Sequence, residues 1–177
     1  MSDGAIPEGQ GPAPARAAAG GPGRGLSAVD AFLALAAIRH PTSPWWLRVR
    51  MMGSSIRYSQ RTLRRALARL EAAGYVVHEG KEYSVAPAIL IPPNKFLPPT
   101  RPGIAEVDLL LLVLSNVRNP KRIFLVLWGG GELAGHIYRD AVRRLVRFGY
   151  LRRDSGWRYH PGERTAALLG YDPERAH

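Results

Sequence analysis

The sequence predicts a mainly α protein with small β-hairpin wings, built from one unit used twice. Three observations predict it. Arg64, Ala66, Arg69, Leu70, Gly74 and Tyr75 recur 75 positions later as Arg139, Ala141, Arg144, Leu145, Gly149 and Tyr150. Apolar residues in each half recur at helical spacing, with proline and glycine punctuating the runs. A pair of short strand-prone segments around a glycine turn then closes each half. Self-similarity at a fixed period marks a repeat, and the order of elements carries more weight than the individual matches.

Residues 1–25 are rich in Gly, Pro and Ala, bury little, and are expected to form a disordered tail. The stretch Gly20 to Ser27 lacks the lysine and the preceding strand of a phosphate loop. Residues 26–90 form the first predicted domain. A long apolar helix, Ser27 to Arg39, is stopped by Pro41, and a short one follows from Pro44 to Met52. Gly53 precedes a third helix from Gln60 to Ala73, with Gly74 where a left-handed C-cap is needed. Tyr75 to His78 and Glu82 to Val85 make a hairpin around Gly80. Residues 91–102, rich in proline, are expected to be a stiff extended linker. The second domain, residues 103–171, repeats the order: Ile104 to Arg118, stopped by Pro120; Lys121 to Leu127; three glycines; Gly135 to Phe148. The strands Tyr150 to Arg153 and Trp157 to His160 then flank Asp154-Ser155-Gly156. Residues 172–177 are a tail. Three helices and a hairpin make a winged helix, so the expected architecture is two tandem winged helix-turn-helix domains.

The chain has 177 residues, 46% of them hydrophobic, and a formal net charge of +11. That excess is the electrostatic footprint of a protein that meets a polyanion. Lysine occurs only at positions 81, 95 and 121, so the charge is carried by arginine, which suits bidentate contacts to phosphate and guanine. There is no cysteine, which excludes disulfides, thiolate nucleophiles and cysteine zinc sites. No signal pattern is expected at the N-terminus, and the apolar run from Val107 to Leu114 is too short to span a bilayer. A cytoplasmic protein without membrane contact is the expectation. His40, His78, His136, His160 and His177 form no metal-ligand spacing, and no nucleophile elbow or acid–base pair accompanies the serines and carboxylates. No cofactor, metal or catalytic residue is expected, and the chain is not read as an enzyme.

The third helices are the candidate site. In the first, Ser59 is placed as N-cap, and Leu63, Ala66, Leu67 and Leu70 share the core face. Gln60, Arg61, Arg64, Arg65 and Ala68 are left on the opposite side. A helix enters the major groove with its N-terminal residues nearest the base edges, where Gln and Arg read adenine and guanine. In the second, His136, Arg139 and Arg143 take the corresponding face, with Asp140 neutralised by Arg143 or Arg144 at helical spacing. Its hairpin carries Arg152, Arg153 and Arg158, whereas the first hairpin is nearly neutral. The expected division of labour is base reading by the first helix and backbone grip by the second wing. Trp45 and Trp46 are expected to pack beneath the first helix, and Trp157 to be available to nucleic acid.

The run from Ser59 through Thr62, Leu63, Arg64, Arg65, Ala66, Leu67, Leu70 and Gly74 to Tyr75 and Val76 resembles the recognition helix and wing entrance of GntR-like and MarR-like regulators. The resemblance implies that Gln60, Arg61 and Arg64 read bases. No effector-binding domain is expected, a departure from the GntR pattern, so ligand sensing is not implied. Double-stranded DNA is the expected partner and transcriptional regulation the expected role. The helix from Leu109 to Leu114, apolar on every face, packs against the first domain or forms a homodimer seam. Tandem winged helices also serve as protein-interaction scaffolds, as in ESCRT-II or RNA-polymerase-associated subunits, and in replication-initiator-like proteins.

Overall fold

The computed structural model describes residues 25–175. Residues 1–24 of the expected N-terminal tail, and the last two residues of the C-terminal one, lie outside them. The described residues form seven helices and three two-stranded antiparallel sheets, and among them the order of three helices and a hairpin occurs twice.

Helix α1 (Ser27–Ala37) is apolar all round, and Ala28 through Ala36 are buried without interruption. Helix α2 (Pro44–Gly53) starts on Ser43, whose Oγ accepts from the Trp46 amide, and buries Leu47 and Met51, one turn apart. Helix α3 (Gln60–Ala72) is capped by Ser59 Oγ, which accepts from the Thr62 amide at 3.1 Å. It turns Leu63, Ala66, Leu67 and Leu70 inward. Strands β1 (Val76–Glu79) and β2 (Glu82–Val85) pair in register Val76↔Val85, and Thr42 adds a bridge to Tyr83 on the outer side of β2.

The second unit matches element by element. Helix α4 (Ala105–Leu114) is buried from Val107 to Leu112. Helix α5 (Pro120–Leu127) is capped by Asn119 and buries Phe124. Helix α6 (Gly131–Arg147) turns Ala134, Tyr138, Ala141 and Leu145 inward. Strands β5 (Leu151–Arg153) and β6 (Tyr159–Pro161) pair as Arg152↔His160. Gly74 (φ +86°) and Gly149 (φ +83°) end α3 and α6 in the left-handed region that glycine enters freely. In both, the next residue's amide returns five positions, Tyr75 to Leu70 and Tyr150 to Leu145, closing a Schellman cap.

Several expectations need correction. Helices α1 and α4 end earlier than predicted: Ile38 is already extended (φ −94°, ψ 125°), and Asn116 has φ +57°. The prolines therefore do not stop these helices, and Pro120 instead opens α5 at its first turn, where its missing amide is harmless. Helix α6 begins four residues before the predicted Gly135. The glycine there is tolerated because Ala134 and Tyr138 on either side are buried. Residues 91–102 are not simply extended. Strands β3 (Leu90–Ile91) and β4 (Lys95–Phe96) fold into a tight hairpin that buries Phe96 against Phe32, ring centroids 6.5 Å apart. A further helix, α7 (Glu163–Leu169), follows β6 and packs on α1 of the first unit.

The buried side chains of both units form one continuous core, in which α1 and α4 touch. Leu109, Leu110, Leu111 and Leu112 are fully covered within the single chain, so the alternative of a homodimer seam there is corrected. Nothing of these leucines remains for a second copy. Trp45 and Trp46 also depart from expectation. They are 55% and 60% exposed, edge to face with centroids 4.8 Å apart, because Leu47 and Met51 occupy the buried side of α2. No helix among the described residues is long and apolar enough to cross a membrane.

Candidate nucleic-acid interface

The cap and the apolar stripe of α3 fix which side chains face out. Arg61, Arg64 and Arg65 are exposed and make no ion pair or hydrogen bond with any described residue. Three unpaired cations on one helix face repel one another, so a bound polyanion relieves an existing cost. Gln60 differs from expectation. It is only half-exposed, and its Oε1 is buried with no partner among the described residues. The outward reach at this end of α3 therefore rests with Arg61 and Arg64. The adjoining hairpin holds little positive charge. His78 stacks on Tyr83 with ring centroids 4.0 Å apart, and its Nδ1 lies 3.8 Å from Glu71.

Helix α6 presents His136, Arg139 and Arg143, all exposed, but in paired form. An Arg139 Nη lies 2.9 Å from His136 Nδ1. Arg143 donates to Asp140 at 2.7 Å and Arg144 to Glu106 at 2.9 Å, so the neutralisation of Asp140 falls to Arg143. Such exposed pairs contribute little to stability, yet they lower the charge the helix offers to a ligand.

The second hairpin is braced from within. Asp154 Oδ1 accepts from the amides of Gly156 (2.8 Å) and Arg158 (2.9 Å). Its Oδ2 lies 2.7 Å from His160 Nε2, and Nδ1 of that ring meets Glu174 at 2.5 Å. The hydrogen bond from His160, then those from the backbone, hold the Asp154 carboxyl below the usual carboxylate range. Arg152, expected to be free for backbone contact, is held by Glu174 at 2.5 Å. Arg153 lies over the Trp157 ring at 4.0 Å, and that tryptophan is 72% exposed at a positive φ of 66°. Arg158 is exposed. The stacked Arg153 and Trp157, with Arg158, form the tip. A cleft of about 930 Å³ lies between this unit's basic face and the first unit, lined by Arg143, Arg147, Arg152 and Arg153 opposite Ser54 and Ile56.

The sequence-predicted residues thus fall into separate surfaces: α3 of the first unit, and α6 with the second hairpin. Sequence reasoning missed the buried polar cluster between the units. Asp30, fully buried, receives Arg164 Nε at 2.9 Å and Nη2 at 2.8 Å, Tyr58 at 2.6 Å and Tyr150 at 2.5 Å. Asp108 receives Tyr75, the Gly103 amide at 3.0 Å and Trp128 Nε1 at 3.0 Å. The signal was present as an aspartate at equivalent places in two largely apolar helices. No protein-family profile, no curated protein and no solved structure matches the chain.

Proposed function

We propose that each unit is a winged helix and that the chain is a double-stranded DNA-binding protein, a cytoplasmic transcriptional regulator. The twofold occurrence of three helices and a hairpin, with the Thr42 bridge beside the first hairpin, supports the winged-helix reading. The observation that carries the function is the row Arg61, Arg64 and Arg65, exposed and unpaired on a capped, rigid third helix. Such a helix in the major groove brings Arg61 and Arg64 to guanine edges, while Arg153 and Arg158 of the second hairpin neutralise phosphates. With about six phosphate contacts, affinity falls roughly a thousandfold between 50 and 200 mM salt. Band-shift titration of a random duplex over that range tests it, and an affinity indifferent to salt removes the reading.

A second reading, a protein-interaction scaffold, is favoured by one observation: Trp45, Trp46, Val49 and Met52 stand exposed together on α2. It predicts tight association with a protein partner that survives Arg61→Ala and is lost on Trp45→Ala with Trp46→Ala.

A further inference from the structure

The contact between the two units is reciprocal. Tyr150, just past α6, accepts from the Leu26 amide at the start of α1 (2.9 Å) and donates to Asp30 (2.5 Å), with Leu26 O 3.3 Å away. Tyr75, just past α3, accepts from the Ile104 amide at the start of α4 (2.7 Å), bonds Ile104 O (3.3 Å) and reaches Asp108. The receiving residues are equivalent: Gly25, Leu26 and Asp30 recur 78 positions later as Gly103, Ile104 and Asp108. Both glycines lie against the tyrosine hydroxyl of the other unit. The second unit's tyrosine docks on the first unit's helix, and the first unit's tyrosine docks on the second's.

When a meets b′ and a′ meets b, the contact has the isologous pattern that an approximate two-fold axis produces. A tandem translation of one unit onto the next leaves one of the two tyrosines facing nothing. The operation that exchanges Tyr75 with Tyr150 also exchanges α3 with α6, because Gly74 and Gly149 tie each helix rigidly to its tyrosine. We infer that one chain does the work of a two-fold dimer: it binds, alone, an inverted pair of DNA half-sites, α3 on one and α6 on the other. This inference rests on the DNA-binding reading above. Duplex DNA carries dyads perpendicular to its axis, so a two-fold protein matches inverted half-sites and not direct ones. The half-sites are unequal. The α3 side carries three unpaired arginines, and the α6 side carries arginines engaged by His136 and Asp140. One half-site is therefore sharply specified and its inverted partner loosely.

The experiment is selection of duplexes from a random pool by the full chain, with native mass spectrometry of the best complex. The expected result is one chain per duplex and two inverted half-sites, one well defined and one degenerate. Reversing either half-site into direct orientation weakens binding more than about tenfold, since the base contacts of that half-site are lost. Arg64→Ala, a surface change, blurs the sharp half-site only, and Arg139→Ala the loose one only. Two chains per duplex, direct repeats, or an Arg64→Ala variant that blurs both half-sites equally overturns the inference while leaving DNA binding intact. Recovery of no duplex at all overturns the DNA-binding reading itself.

Discussion

Arg164 and Asp30, 134 positions apart in the chain, form a buried bidentate ion pair, Nε to Oδ1 at 2.9 Å and Nη2 to Oδ2 at 2.8 Å. Asp30 is fully buried and Arg164 nearly so. The pair therefore fastens α7 of the second unit onto α1 of the first. Breaking such a pair on one side strands a charge in the core, which typically destabilises by about 3–5 kcal/mol. Arg164→Met is expected to lower stability by that amount in a urea titration. Replacing both residues, as Asp30→Leu with Arg164→Met, is expected to recover most of it, since no charge is left unpaired. A double variant as weak as the single one contradicts this account.

Asp108 gives a pH dependence of determinate sign. Burial lifts its carboxyl above the usual 3.8, against the opposing hydrogen bonds from Tyr75, Gly103 and Trp128. A carboxyl raised in the folded state holds its proton more tightly there than in the unfolded chain. Its contribution to stability is thus fully present below pH 3.8 and declines as pH rises through the folded value. Measured against Asp108→Asn, the wild-type protein is expected to lose relative stability over that interval. A relative gain with rising pH would mean that the donors outweigh burial.

Asp154 moves the other way. Held below 3.8 by His160, its contribution is present above that value and lost as pH falls through the lower folded one. The expected readout is local: Trp157 fluorescence changes as the hairpin loosens in acid, before global unfolding. Asp154→Asn, which keeps an acceptor but not the charge, is expected to show the loosened signal already at neutral pH.

The helix α3 was legible because a local code specifies it: a serine cap, a leucine stripe at helical spacing and a glycine stop. Its arginines were correctly placed outside by the same code, and Gln60 was not, since the tuck of one side chain depends on neighbours the stripe does not reveal. Trp45 and Trp46 show the converse. Their size suggested burial, but the spacing of Leu47 and Met51 had already assigned the inner face of α2. The start of α6 was obscured by Gly131 and Gly135, whose weak helix propensity is overridden by packing of Ala134 and Tyr138. The docking of the units was beyond any local pattern, because Asp30 and Tyr150 lie 120 residues apart. Only the repeated aspartate in an apolar helix hinted that a buried partner was required.

The proposed DNA-binding role predicts a quantitative contrast between arginines. Arg61 and Arg64 face outward from the rigid helix, whereas Arg153 and Arg158 sit on the hairpin. Arg61→Ala or Arg64→Ala is expected to cost about 1–3 kcal/mol on the preferred sequence and relax discrimination at one base pair. Arg158→Ala is expected to weaken all sequences alike and to reduce the salt slope by about 1. Arg152→Ala is expected to do less than Arg158→Ala, because Glu174 already neutralises it. Equal losses on every sequence for Arg61→Ala and Arg153→Ala would show that the helix does not read bases.

The glycines under the reciprocal tyrosines offer the sharpest structural test. A methyl group at position 103 lies 2.5 Å from the Tyr75 hydroxyl and 3.2 Å from the Ala73 side chain, and one at position 25 meets the Arg164 guanidinium first and lies 2.7 Å from the Tyr150 hydroxyl. Gly103 has no positive φ, so alanine there meets a packing conflict and no backbone penalty. Overpacking of this kind costs about 1–3 kcal/mol. In a chain of this size that lowers Tm by about 2–4 °C for each kcal/mol. Gly103→Ala and Gly25→Ala are each expected to destabilise, and Gly103→Ala with Tyr75→Phe to recover part of the loss, because removing the hydroxyl removes the clash. If Gly103→Ala is neutral or stabilising, Tyr75 does not sit against the start of α4, and the paired docking of the two units is lost with it.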